Sequence, residues 1–253
     1  MISLKSEREI DLMRKAGLII AKVFEMLEPE IRPGAATRDL DAIAAEEIRS
    51  LGGRAAFLGY KGFPGAICTS INEVVVHGIP QDRAVLSGDI ISIDVGVEVG
   101  GYYADAAATF AVGAISQAAA RLLQVTEESL YRGIDNARPG KRLMDIGSAV
   151  QRYVEDRGFS VVRSFVGHGI GSQMHEEPEV PNFGTPNTGI RLEAGMALAI
   201  EPMVNQGTYK VKVLEDGWTA VTEDSALSAH FEHTILITND EPEILTPWQK
   251  KNR

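Results

Sequence analysis

Along the first fifty residues the apolar positions fall at three- and four-residue steps. Ile10, Met13, Gly17, Ile20, Phe24 and Leu27 share one face of a helix. Ser6 and Glu9 stand ahead of them at the spacing of a capping box, and Arg32-Pro33-Gly34 closes the run. A second amphipathic helix follows, with Thr37 as its N-cap, Leu40, Ile43, Ala44, Ile48 and Leu51 as its apolar face, and Gly52-Gly53 as its stop. The pattern then shortens to the runs AICTSI, EVVVHGI, DIISIDVGVEV and YYADAAATFAV, which predict strands.

The same order of patterns then begins again. Ser116 caps a long helix running toward Asn136, Ala137-Arg138-Pro139-Gly140 repeats Ile31-Arg32-Pro33-Gly34, and a helix over about Met144 to Arg157 stops at Gly158 as the earlier one stops at Gly52. These positions match at an offset of 106, and at 107 Gly88–Asp94 lies over Gly195–Glu201, where a carboxylate ends the same apolar run in both copies. A period this long is no solenoid repeat. It predicts an α+β fold of two αα-plus-strand halves, about residues 1–113 and 114–253, related by a pseudo-two-fold axis around one curved antiparallel sheet and folding as a single domain. On that reading Asp94 and Glu201 approach each other near the axis.

Composition narrows the function classes. The 253 residues are 44% hydrophobic, enough for a sizeable core, and 35 acidic against 25 basic residues argue against a surface for nucleic acid. The lone cysteine, Cys68, forms no internal disulfide. The N-terminal residues lack a secretory signal's apolar core, and the run AGLIIAKVFEML is broken by Lys22 and is shorter than the ~20 residues needed to span a bilayer. The chain therefore reads as a cytoplasmic protein with neither membrane nor nucleic acid as a partner.

Chemistry concentrates in a few acidic residues and histidines. In DVGVEVGGYYAD a hairpin turn at Gly100-Gly101 sets Gly96 opposite Asp105, so Asp94 and Asp105 share one face as diagonal neighbours. That face lies opposite the apolar positions Ile91, Ile93, Val95 and Val97. Glu201 and Glu232 each interrupt an apolar, β-rich run, where a carboxylate needs a cation, a hydrogen-bond network or water. His168 adds an imidazole, and the glycines around it remove Cβ atoms that would block substrate or neighbouring strands. Without a nearby lysine, GHGIG is a poor phosphate loop. Two Asp, two Glu and one His instead form an oxygen-rich set suited to paired divalent ions such as manganese, iron or cobalt. His77 and His175 remain for hydrogen bonds to substrate or to a developing oxyanion, while His230 and His233 are either structural or neighbours of the ligands.

The segments YKGFPGAICTSINEVVVHGIP, DVGVEVGGYYAD, GHGIGSQMHEEP, IEPMV and FEHTI, in this order across almost the whole chain, resemble those of a type I methionine aminopeptidase. The resemblance implies the duplicated pita-bread (creatinase/aminopeptidase) fold. It further implies that Asp94, Asp105, His168, Glu201 and Glu232 hold two divalent ions, drawn from cobalt, manganese, iron or zinc, with Asp105 and Glu232 bridging them. Glu201 would act as general base toward the attacking water, His175 would stabilise the tetrahedral intermediate and His77 would contact the substrate backbone. Tyr60, Phe63, Cys68 and Trp218 would enclose the methionine side chain. Phe57 and Met174 depart from the commonest bacterial pattern, which often has cysteine and phenylalanine there. The implied activity is removal of initiator methionine from nascent chains and short peptides with a small second residue, by a monomer, with transient ribosome contact left open. Two rivals share the fold: an X-Pro aminopeptidase or dipeptidase, which generally carries an extra N-terminal domain, and a binding protein that has lost catalysis, and with it metal ligands that are all present here.

Overall fold

Helix α1 (Glu7–Leu27) begins at the capping box: the backbone N–H and hydroxyl of Ser6 both donate to Oε2 of Glu9, at 2.6 and 2.7 Å. Its apolar face, Ile10, Met13, Ile20, Phe24 and Leu27, is buried as the spacing requires. Each such large side chain contributes about 1.5–3 kcal/mol relative to exposure. Helix α2 (Thr37–Ser50) differs from expectation at its start, because Ala36 is the cap residue and Thr37 is the first helical one. The Thr37 hydroxyl donates to the carbonyl of Gln81 and accepts from its N–H, so it fastens the helix to a distant loop. Leu40, Ala44 and Ile48 are buried, whereas Leu51 lies past the helix end and is exposed.

The computed structural model of the protein describes residues 2–248. Strand β1 (Ile67–Ile71) pairs with β2 (Ile90–Val99), which pairs in turn with β3 (Tyr102–Ala111), all antiparallel. Gly100 and Gly101, at φ +59° and +86°, make the two-residue turn between β2 and β3. The register places Val99 opposite Tyr102, Gly96 opposite Asp105 and Asp94 opposite Ala107.

The second half repeats this plan. Helix α3 (Gln117–Ile134) starts with the Ser116 hydroxyl accepting from Ala119 N, and α4 (Leu143–Glu155) with Asp145 accepting from Arg142 N. Strands β4 (Gly167–Gly169), β5 (Glu176–Val180), β6 (Ala197–Ile200), β7 (Ser228–His230) and β8 (His233–Leu236) follow, with β6 between β4 and β8 as β2 lies between β1 and β3. The helix entries also correspond: Thr37 N donates to Arg83 O and Leu143 N to Ile190 O, while Gly52 and Gly158 share φ +82°.

Among the described residues the strands form four antiparallel sheets, and β3 packs against the β7–β8 segment. There Glu232 N donates to Ala107 O at 2.8 Å. Thr234 Oγ1 accepts from Asp105 N, while Thr109 Oγ1 accepts from His230 N and donates to His230 O. One core spans both halves, joining Phe24, Ile91 and Ile93 to Leu122, Leu130 and Ile200. Among the described residues no helix is long and apolar enough to cross a membrane.

Candidate metal centre and active site

Alternation along β2 sends Ile91, Ile93, Val95 and Val97 into the core at 0% exposure and turns Asp94 to the opposite face. The hairpin register adds Asp105 to that face. Glu201 follows β6, Glu232 lies between β7 and β8, and His168 is the middle residue of β4. The glycines beside His168 serve strand packing. A Cβ at Gly167 would stand 2.3 Å from Ala199 O, and one at Gly169 2.2 Å from Glu177 O, so only bare backbone fits between β5 and β6.

The five groups meet in one cavity. His168 Nε2 is 3.4 Å from Asp105 Oδ2 and 3.6 Å from Glu201 Oε1, and single donor atoms of Asp105, His168 and Glu232 lie within 4.8 Å of one another. Nδ1 of His168 lies 2.9 Å from Gly169 O. A carbonyl only accepts, so Nδ1 keeps a proton, and Nε2, which faces the carboxylates, is the nitrogen that would give up its proton to ligate a metal. Among the described residues no lysine or arginine forms an ion pair with Asp94, Asp105, Glu201 or Glu232. Oδ1 of Asp94 is buried with no hydrogen-bond partner. These donors fit divalent cations: hard oxygens, one oriented imidazole and unneutralised buried charge.

The protonation energetics agree. Burial, reinforced by the neighbouring carboxylates, pushes Asp94 and Glu232 well above their ordinary values. Burial raises Glu201 to about 8, with Asp105 adding to the rise and His168 opposing it. Burial pulls His168 down, but the charges of Asp105 and Glu201 and the hydrogen bond to Asp105 outweigh it and lift the imidazole to about 9. Cations held here would take the place of protons.

The cavity measures about 170 Å³, and all eleven site residues anticipated from sequence line it, Tyr60, Phe63, Cys68, His77, His175 and Trp218 among them. Phe57 and Met174 complete its apolar wall, and Phe63 meets Trp218 edge-on at 5.2 Å between centroids. Burial, with Asp94 nearby, raises the Cys68 thiol well above its ordinary value, so it is a small apolar wall group and not a nucleophile. His175 Nδ1 lies 2.9 Å from the Tyr60 hydroxyl, and its ring stands 4.3 Å from that of His168 between centroids. His77 holds φ +59°, a strained conformation for a side-chain-bearing residue, and packs edge-on against Phe165 and Trp218. A wider depression of about 580 Å³ adjoins on the side of His168 and His175 but contains none of the four carboxylates of the cluster.

The two open histidines now separate. His230 Nε2 is 3.6 Å from Glu201 Oε2, beside the acidic cluster, whereas His233 Nδ1 lies 3.0 Å from Thr246 Oγ1 and is structural. Lys61, at φ +48° on the cavity lining, was not anticipated, since nothing in its neighbours' pattern marks it.

A model of metallopeptidase family M24 matches residues 11–239. The chain is 54% identical to a methionine aminopeptidase of Clostridium perfringens over 97% of its own length and 99% of that protein's, and 53% identical to methionine aminopeptidase 1 of Bacillus subtilis, again over 97% and 99%. Its structure is similar to that of a Thermotoga maritima methionine aminopeptidase, with TM-score 0.96 and 46% identity over 97% of this chain and 99% of that one. Against the prolidase of Pyrococcus horikoshii the TM-score is 0.78 at 22% identity, and 98% of this chain covers only 64% of that one, a likeness of fold alone.

Proposed function

The chain belongs to metallopeptidase family M24, and we propose that Asp94, Asp105, Glu201, Glu232 and His168 hold two divalent cations for removal of N-terminal methionine from peptides and new polypeptides with a small second residue. The fold is the pita-bread fold and the activity is that of a metal-dependent methionine aminopeptidase. One observation carries the site assignment: Asp94, Asp105, Glu201, Glu232 and His168, drawn from both halves, line one cavity without a lysine or arginine partner among the described residues. Four carboxylates and a neutral imidazole balance the charge of two divalent ions, which supports a pair over a single ion. The oxygen-rich donors favour manganese, iron or cobalt, and zinc also accepts them.

Cations bound there polarise the scissile carbonyl and make water nucleophilic at neutral pH. Glu201 takes the proton of the attacking water and delivers it to the departing amine. His175 donates a hydrogen bond to the developing oxyanion, and His77, neutral because burial lowers its pKa, contacts the peptide backbone. Phe57, Tyr60, Phe63, Cys68, Met174 and Trp218 surround the methionine side chain and select it by shape and dispersion. The 170 Å³ of this cavity is well below the roughly 300–1,000 Å³ of a drug-sized site and suits one side chain.

Hydrolysis of Met-Ala-Ser against Met-Lys-Ser, with and without a chelator, tests this function. Release of methionine from Met-Ala-Ser alone, lost on chelation and regained with metal, is expected; turnover that persists without metal would refute the mechanism.

A further inference from the structure

The short segment before α1 reaches the catalytic wall through a buried ion pair. Lys5 is 3% exposed at its side chain and its Nζ lies 2.8 Å from Oε2 of Glu176, itself 14% exposed and next in sequence to His175. Lys5 is fixed at both ends: its N–H donates to Gly195 O at 2.8 Å and its ammonium donates to Ser3 O at 3.1 Å. The other oxygen of Glu176 accepts from Gln173 N at 3.1 Å and from the Ser172 hydroxyl at 3.3 Å. One carboxylate thus closes the turn carrying Met174 and His175 and anchors it to the N-terminal segment. The turn is built around this pair, since a Cβ at Gly171 would stand 2.3 Å from Lys5 Cε and 2.8 Å from Glu176 Oε1.

We propose that Lys5 is a positioning residue, holding His175 in its catalytic place by way of Glu176. This rests on the reading of His175 as a substrate contact. A buried pair of this kind is weak evidence of stability, because apolar replacements are often as stable, but it defines direction and distance where a greasy contact would let the turn slide. Both His175 and Met174 line the cavity, so a displaced turn moves an oxyanion donor and part of the methionine wall together.

The test compares Lys5→Met, Lys5→Met/Glu176→Gln and His175→Ala in the metal-loaded enzyme, with kcat corrected for the folded fraction. Lys5→Met keeps the length of the side chain, and the double variant removes both charges, so that it folds where a lone buried carboxylate prevents folding of the single one. Both are expected to lose kcat by about 10- to 100-fold with KM within about twofold, the size of effect that small misplacement of a catalytic group produces. The imidazole resonances of His175 in the metal-free variants should move while those of His77 stay. If the double variant keeps the wild-type kcat and the wild-type His175 resonances, Lys5 only stabilises the fold and the inference is overturned. A slow His175→Ala enzyme beside fast Lys5 variants overturns this inference alone. A His175→Ala enzyme at wild-type kcat overturns the catalytic reading and this inference with it.

Discussion

The hydroxyl of Tyr60 lies 2.9 Å from Nδ1 of His175, and the two rings stack at 5.4 Å with 23° between their planes. A phenol that donates to Nδ1 leaves the proton of the neutral imidazole on Nε2, the form that donates to an oxyanion. Burial, with His168 close by, lowers His175 to about 4, so the ring stays neutral at working pH. His175→Ala should therefore reduce kcat by roughly 10² or more. Tyr60→Phe should move kcat in the same direction by less, since the ring remains and only its orienting donor is lost. Steady-state hydrolysis of Met-Ala-Ser checks both, and a His175→Ala effect confined to KM would contradict the oxyanion role.

Glu201 follows β6 and is matched to Asp94 of β2 by the sequence repeat, and it faces His168 and His230 with its two oxygens. It is both ligand and base on the proposed mechanism. Glu201→Ala should abolish turnover while circular dichroism stays native, because the group lines a cavity and does not pack the core. Metal content measured on the same sample separates loss of the base from loss of the ions. A near-normal rate would show that the base has been misassigned.

The cluster also predicts how stability responds to pH and metal. Glu201 is raised from 4.5 to about 8 in the folded, metal-free protein, so the folded state holds a proton that the unfolded state has released. The stabilisation that this proton brings is complete below about 4.5 and is lost as pH rises through about 8. Asp94 and Glu232 are raised too and act in the same direction. The melting temperature of the metal-free protein should fall between pH 6 and pH 8, and manganese or cobalt should restore it by an increment that grows with pH. Calorimetry in two buffers of different ionisation enthalpy should register protons released on metal binding. A metal increment that shrinks as pH rises would run against the assignment.

Local periodicity carried much of this structure. The faces of α1 and α3, the Gly100-Gly101 hairpin and the repeat that pairs Asp94 with Glu201 all depend on neighbours within a few residues or on an offset visible by eye. What escaped depends on distant partners. Thr37 looked like a cap because its hydroxyl has a local use, yet Gln81, 44 residues away, claims it. The link from Lys5 to Glu176 spans 171 residues and has no local signature. The glycines around His168 signalled crowding correctly, but only the fold shows that β5, β6 and Lys5 do the crowding. His230 and His233 are three residues apart in one run, and their roles separated only when the partners Glu201 and Thr246 came into view.

Phe57 and Met174, where the chain departs from the commonest bacterial pattern, converge over Gly96 on the carboxylate-bearing face of β2. A Cβ at position 96 would stand 2.6 Å from Cε1 of Phe57 and 3.0 Å from Cε of Met174. Both neighbours are side chains on the cavity wall, so they would yield, and the space into which they can move is the cavity. Gly96→Ala should therefore lower kcat/KM for Met-Ala-Ser by about 10-fold or more, as one methylene of misfit in an apolar pocket does. Metal content should not change. Gly96→Ala/Met174→Ala should recover part of the loss, because removing the thioether gives Phe57 room to retreat. If Gly96→Ala retains wild-type kcat/KM, Phe57 and Met174 do not bound the methionine site, and selectivity must come from Tyr60, Phe63, Cys68 and Trp218.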